Sequence, residues 1–182
     1  MGRTVLVFGL LAGLLMIALQ WIIYPLCYRG YITFDSSTYI GYAGMLVVFS
    51  MVFFGIKSYC DNWSGGSVTF WKGVQIGLLI TLIAAVLHAV GGHIYNLVNP
   101  DFKEFFIQKY TEYKTSMPNP DPQSIRQEVE MLRNIYENPI LDFLVSTMLI
   151  LPVGVIVTLI SAALLRRKEL LPGAPIEQEE AR

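Results

Sequence analysis

Charged residues are scarce in this chain: Lys, Arg, Asp and Glu make up 15% of its 182 residues, against about a quarter in a soluble domain. Hydrophobic residues make up 54%, and the formal net charge is −1. This composition excludes an ordinary soluble globular domain and is typical of a membrane protein. We expect no nucleic-acid partner.

Cysteine and histidine, the usual zinc ligands, are also scarce, with two of each. We expect Cys27 at the outer end of the first membrane helix and Cys60 in a cytoplasmic loop, so the two thiols cannot pair. His88 and His93 lie on one predicted helix, where a five-residue spacing separates them by roughly 140° around the axis. Since a structural zinc site usually needs four ligands, we expect no metal and no cofactor.

Four apolar runs contain no Asp, Glu, Lys or Arg, and each exceeds the roughly 18 residues that indicate a membrane span. The runs are Thr4 to Tyr28, Ser36 to Ile56, Gly73 to Pro100 and Phe143 to Leu165. The fold class predicted from them is an all-α membrane protein with four transmembrane helices in a single domain. The predicted spans are about 4–25, 37–57, 72–96 and 140–165.

The orientation follows from basic residues near the helix ends, which favour the cytoplasmic side. An even number of helices puts both termini on one side. The cluster Arg166-Arg167-Lys168 directly follows the last span. We therefore expect both termini, including the tail 166–182, to be cytoplasmic.

The loop 97–139 is too polar to enter the membrane. Its apolar residues recur every three or four positions from Asp101 to Lys114 and again from Gln123 to Tyr136, which indicates two amphipathic helices. Asp121 and Pro122 suit the N-cap and first turn of the second helix. The pattern predicts an extracytoplasmic amphipathic helical hairpin between transmembrane helices 3 and 4.

An aromatic cluster in this loop is the candidate for binding a protein partner. It consists of Phe102, Phe105, Phe106 and Tyr110. The alternative is that these side chains pack internally.

Lys57 and Lys72 bracket Ser-Gly-Gly-Ser at 64–67, before the third span. Backbone N–H groups at a helix N-terminus bind anions, so the two lysines are candidates for contact with a lipid phosphate. The alternative is that Ser67 or Thr69 only caps the helix.

His88 is an ionisable residue inside the third span, and such residues are candidates for functional sites. The alternative is a structural hydrogen bond to Ser146 or Thr147 of the last span. A further hypothesis pairs His93 with Asp142 across the bundle as an acid and a base.

Small residues indicate close helix packing. Gly9 and Gly13 form one GxxxG motif, and Gly73 and Gly77 form another. We expect them to serve packing within the chain, although dimerisation is an alternative. Pro152 predicts a kink in the last span.

The segments FFGIKSYCDNWSGG at 53–66 and NPDF at 99–102, with the WKG-x-x-IGLLITLI stretch that opens the third span, resemble domain of unknown function 4199. This is a family of bacterial four-helix membrane proteins, and the resemblance covers nearly the whole chain. It implies a bacterial inner-membrane location and the same topology. It implies no activity, substrate or catalytic residues.

The chain shows no nucleophile elbow, HExxH motif, phosphate loop or paired intramembrane carboxylates. We therefore expect a non-enzymatic accessory or scaffold component that contacts membrane lipids and a protein partner through its outer loop. The alternative is a small oligomeric transporter or channel. Its path would be lined by His88, Ser50, Gln75 and Thr81 beside the Pro152 kink. Association with further copies of the chain is possible in either case.

Overall fold

The computed structural model describes residues 1–64 and 68–166. Within these ranges, every secondary-structure element longer than one residue is an α-helix. The helices are α1 (Gly2–Tyr28), α2 (Phe34–Trp63), α3 (Phe70–Val98), α4 (Asp101–Ser116), α5 (Pro122–Glu137) and α6 (Pro139–Leu165). Arg167, Lys168 and the rest of the predicted tail lie outside the described residues, so the orientation of the chain remains a prediction.

The four long helices α1, α2, α3 and α6 have 27 to 30 residues each and are apolar enough to cross a membrane. A helix of 27 residues is about 40 Å long, which exceeds the roughly 30 Å of a hydrocarbon core. Many of their large apolar side chains point outward, such as Val47, which is 72% exposed, and Leu164, which is 71% exposed. The prediction of an all-α membrane protein with four transmembrane helices is confirmed.

The bundle is organised around α3, which has its extensive interfaces with α1 and α6 and a smaller one with α2. Helix α2 also contacts α1 and α6, whereas α1 and α6 share no extensive interface. Fully buried side chains fill the centre: Phe49, Val52 and Ile56 from α2, Ile76 and Ile80 from α3, and Ile150 from α6.

The glycines of α1 bring that helix close to α3. A Cβ added to Gly9 would lie 2.9 Å from Cβ of Ile83, and a Cβ added to Gly13 would overlap the side chain of Leu87. Such contacts are tighter than real Cβ atoms make, so only glycine permits this approach.

The glycines of α3 and α6 form a reciprocal contact with two threonines. A Cβ on Gly77 would lie 2.5 Å from Cγ2 of Thr158, and one on Gly154 would overlap the side chain of Thr81. Between these positions the hydroxyl oxygens of Thr81 and Thr158 lie 3.5 Å apart. Together with the α1–α3 contact, this confirms that the glycine motifs pack within the chain.

Helix α6 continues from Pro139 to Leu165 through Pro152, so the proline does not end the helix. The bend predicted at this proline stays a prediction.

The connection between α2 and α3 is shorter than predicted. Helix α2 continues to Trp63 and α3 begins at Phe70, so most of the segment that was expected to be a cytoplasmic loop is helical. Cys60 therefore lies in α2, where it is 1% exposed, and not in a loop. The prediction was wrong because hydropathy marks the edge of the membrane, whereas a helix ends where its hydrogen bonding ends.

Helices α4 and α5 match the two predicted amphipathic segments. Asp121 is the N-cap of α5, its carboxylate accepting from the backbone N–H of Gln123 at 3.0 Å, and Pro122 occupies the first turn. Lys103, early in α4, donates to the carbonyl of Tyr136, late in α5, at 2.9 Å. The two helices therefore run antiparallel. Their extracytoplasmic position stays a prediction.

Candidate functional site

Helix α4 lies over one end of the bundle and attaches there through aromatic rings. Phe102 is 5% exposed. Its ring stacks on Tyr24 of α1 at a centroid distance of 4.6 Å and meets Tyr95 of α3 edge-on at 5.1 Å. Phe105 meets Tyr28, at the end of α1, at 4.9 Å. Aromatic pairs at these separations stabilise the contact beyond their buried area.

The other two members of the predicted partner-binding cluster also turn inward. Phe106 and Tyr110 lie 5.4 and 6.4 Å from Phe34 of α2, measured between ring centroids. The Tyr110 hydroxyl donates to the Glu128 carboxylate of α5 at 2.6 Å. This is the internal packing that was the alternative to partner binding. Because Phe102 is buried by it, this side chain has no free surface for a protein partner. Because only two residues separate α3 from α4, the latter is placed directly against the helix ends.

A cavity of about 280 Å³ lies beneath α4, between α1 and α2. Its volume is close to the lower end of the roughly 300–1,000 Å³ of small-molecule sites. The rings of Phe34, Phe102, Phe105 and Phe106 form part of its wall. Its polar lining side chains are Gln20, Tyr24, Cys27, Ser37, Thr38, Tyr42 and His88.

Two of these lining side chains each have a buried polar atom without a hydrogen-bond partner among the described residues. These atoms are Oε1 of Gln20 and Nδ1 of His88. Gln20 is 5% exposed, and its Nε2 donates to the hydroxyl of Tyr24 at 2.9 Å. An unpaired buried polar atom costs about 1–3 kcal/mol, so such atoms normally pair with water or a ligand. The cavity is therefore the strongest candidate site.

The structural hydrogen bond expected for His88 is not formed. The Thr147 hydroxyl donates instead to the carbonyl of Phe143, one turn earlier in its own helix, at 2.8 Å. Nδ1 of His88 has no hydrogen-bond partner among the described residues, so Ser146 does not bond it either. Threonine commonly bonds its own helix in this way, which uses the one hydrogen that its hydroxyl can donate. His88 is left to line the cavity.

Gln20 was not identified from the sequence. It is the only side-chain amide in the first apolar run, from Thr4 to Tyr28, and that run contains no charge. The signal was an isolated, strongly polar residue in a membrane span, where polar groups face the bundle interior. The tertiary structure places it in the same cavity as His88.

His93 and Asp142 meet at the same end of the bundle, as the acid–base hypothesis required. Nδ1 of His93 lies 3.8 Å from Oδ2 of Asp142, and Asp142 is 7% exposed. Asp142 lies in the first turn of α6, where the helix dipole favours a carboxylate. Within residues 1–64 and 68–166, no three His, Cys, Asp or Glu side chains group together as a metal site would require.

Only part of the predicted lipid-phosphate site lies among the described residues. Lys57 lies on the exposed side of α2, in a shallow surface groove beside Asp61. Lys72 lies in the first turn of α3. Thr69 is the N-cap of that helix but makes no side-chain capping bond. Residues 65–67, which include Ser67, lie outside the described residues.

The polar residues proposed to line a transport path do not lie along a common path. The Ser50 hydroxyl donates to the carbonyl of Val47 in its own helix at 2.6 Å. Gln75 is exposed on the outside of α3, and Thr81 is fully buried against α6. None of these three residues lines the cavity that contains His88.

Comparisons with known proteins agree with the resemblance seen in the sequence. The family model described as protein of unknown function (DUF4199) matches residues 7–167. No curated protein and no solved structure matches the chain. The match extends from the first membrane helix to the end of the last, and the chain belongs to the DUF4199 family.

Proposed function

We propose that this is a non-enzymatic accessory protein of the bacterial inner membrane that binds a small lipid-soluble molecule in the cavity beneath α4. The observation that supports the proposal is that two polar side chains of membrane spans, Gln20 and His88, line one cavity, and each keeps a buried polar atom without a hydrogen-bond partner among the described residues. Small-molecule sites typically combine apolar walls with a few polar side chains, and this lining has that composition.

The shape of the cavity supports access from the lipid. Its lining extends to Thr38 and Tyr42, which are exposed on the outer face of α2, Tyr42 by 51%. A molecule dissolved in the bilayer would enter between α1 and α2 without crossing the bundle. With both termini in the cytoplasm, α4 would close the cavity on the extracytoplasmic side.

The accessory role includes a protein partner at the outer helices. Because the aromatic side of α4 packs on the bundle, we assign this role to α5, none of whose residues is buried. Met131 of α5 is 61% exposed. Cross-linking in native membranes, followed by isolation of the wild type and of Met131→Glu, would test this part. If the wild type and Met131→Glu retained the partner equally, the partner-binding surface would lie elsewhere than at Met131.

The transporter or channel remains the alternative and has less support. Ser50, Gln75 and Thr81 lie away from the cavity, so the path inferred from them has no structural basis.

Ligand binding is tested by extracting the purified protein with organic solvent and identifying released molecules by mass spectrometry. We expect the wild type to carry a small apolar molecule near one per chain and Gln20→Leu to carry much less. Gln75→Leu is the matched control, because this glutamine is exposed on the outside of α3. Equal content in all three proteins would contradict the proposal.

A further inference from the structure

We propose that the ligand of the cavity is a lipid with a single straight hydrocarbon chain, and that this chain lies along the groove between α1 and α2. This inference rests on the proposed function and specifies the shape of its ligand. It depends on where the lining residues lie along their helices.

The cavity is elongated along the axes of α1 and α2. Its lining residues run from Met16 to Cys27 on α1 and from Phe34 to Met45 on α2. In both helices they are spaced alternately by three residues and by one, which places them on one helix face. Each stretch spans eleven residue steps, which is about 16 Å of helix. The two helices therefore form the walls of a groove of that length.

The groove reaches from one end of the bundle to its middle. The rings of Phe102, Phe105 and Phe106 line it at the end that α4 covers. At the deeper end it is lined by His88 and Leu149, each ten residues from the end of its own helix. Ten residues of helix are about 15 Å long, which is half of a hydrocarbon core of about 30 Å. The groove therefore has the depth of one bilayer leaflet.

The volume and the length of the groove both correspond to one chain. A volume of about 280 Å³ has room for roughly nine water-sized groups at about 30 Å³ each. A zigzag chain with bonds of about 1.5 Å advances about 1.25 Å per carbon, so roughly 13 carbons extend over about 16 Å. A ring system of the same volume would be shorter and wider than the groove. We therefore expect it to hold between about 9 and about 13 carbons of a straight chain.

Gly41 keeps the groove open in its middle. It lines the cavity, and a Cβ added to it would have no atom of the described residues within 4 Å. The adjacent Tyr42 also lines the cavity and is 51% exposed on the outside of α2. A chain can therefore enter this space sideways from the bilayer.

The lining favours a single-chain lipid over a phospholipid. No Lys or Arg is among the residues that line the cavity. Lysine and arginine are the side chains that bind phosphate strongly, so the groove offers a phospholipid head group no cation. We therefore assign the groove to a lipid that has one chain and no phosphate.

The native cysteines provide the assay. Cys27 lines the groove, and Cys60, which is 1% exposed, is replaced by Ala so that one thiol remains. The protein is reconstituted in vesicles of diphytanoylphosphatidylcholine, whose methyl-branched chains supply no straight chain. Alkylation of Cys27 by N-ethylmaleimide is followed by intact mass. The probes are 1-dodecanol and its branched isomer 2-butyl-1-octanol, which has the same formula and the same hydroxyl. Circular dichroism verifies that each variant is folded.

We expect 1-dodecanol to slow the alkylation at a mole fraction in the bilayer about tenfold lower than its branched isomer requires. A tenfold ratio corresponds to about 1.4 kcal/mol, which lies within the cost of forcing extra width into a well-packed space. Gly41→Leu should abolish the effect of 1-dodecanol on the variant's own rate, because the new side chain fills the middle of the groove. Ala43→Leu, on the exposed side of α2, is the matched control and should preserve the effect.

The other outcomes separate the two proposals. Equal slowing by both isomers would overturn the inference and leave the cavity as a site for apolar molecules of any shape. No slowing by either isomer would also overturn it. The solvent extraction decides independently whether the proposed function fails as well, since it does not depend on the shape of the ligand.

A phospholipid chain as the occupant is tested by measuring the alkylation without alcohol in vesicles of dimyristoylphosphatidylcholine, whose chains are straight. We expect the same rate as in the branched lipid. A slower rate in the wild type and in Ala43→Leu, but not in Gly41→Leu, would assign the groove to a bilayer phospholipid and overturn the single-chain assignment.

Discussion

Replacing Gly154 by Ala should destabilise the bundle, because the α3–α6 interface has no room for a methyl group there. The added Cβ would lie 2.9 Å from Oγ1 and 3.1 Å from Cβ of Thr81 and would overlap its Cγ2. Thr81 has little freedom to move away, since it is 0% exposed and its hydroxyl contacts that of Thr158 at 3.5 Å.

The expected magnitude is the difference between two opposing effects. Overpacking of a tight core costs about 1–3 kcal/mol. Replacing Gly by Ala inside a helix contributes about 0.5–1 kcal/mol in the other direction. The free energy of unfolding should therefore fall by about 0–2.5 kcal/mol for Gly154→Ala. A fall of about 1 kcal/mol, near the middle of this range, raises the unfolded-to-folded ratio roughly 5-fold.

The assay is unfolding of the purified protein in mild detergent by added dodecyl sulfate, followed by circular dichroism. Gly41→Ala in α2 is the matched control, because no atom of residues 1–64 or 68–166 lies within 4 Å of a Cβ added there. It should be at least as stable as the wild type. Adding Thr81→Ala to Gly154→Ala removes the clashing Cγ2 and Oγ1, so the two changes should couple favourably by about 0.5–3 kcal/mol.

Two results would refute this reasoning. One is a Gly154→Ala protein as stable as Gly41→Ala. The other is a double variant whose loss of stability equals the sum of the two single losses.

Two further predictions concern α4 and α5. Phe102→Ala should lower the free energy of unfolding by about 3–5 kcal/mol, because Phe102 is buried against α1 and α3. Phe102→Leu should lower this free energy much less. Equal losses for the two variants in the same unfolding assay would contradict this packing role. Hydrogen bonds from Tyr110 and then Lys114 lower the pKa of Glu128 from its usual 4.5. A lowered carboxyl pKa contributes stability above about pH 4.5 that is lost as the pH falls through the folded-state value. Unfolding at about pH 5 and about pH 3 should therefore show a smaller acid-induced loss for Glu128→Gln than for the wild type, and an unchanged loss would count against the Tyr110–Glu128–Lys114 contact.

The sequence by itself determined the membrane class, the number of long helices and the positions of α4 and α5. These properties are local, since the length of an apolar run decides whether a helix can cross a bilayer. The Asp121 cap is likewise a contact between near neighbours in the chain. The glycine motifs identified helix surfaces suited to close packing, although not the helices that would meet there.

Only the tertiary structure decided which surfaces are paired and which atoms remain unpaired. The periodicity of α4 showed an apolar side, but whether Phe102 faced a partner or the bundle depended on how α4 folds over the ends of α1 and α3. The cavity depends on the same arrangement, because Gln20 and His88 come from different helices and line one space, and each keeps a buried polar atom unpaired among the described residues. Residue spacing along a chain does not encode such a meeting point. It arises when packing brings distant side chains together and supplies hydrogen-bond partners to some buried polar groups but not to others.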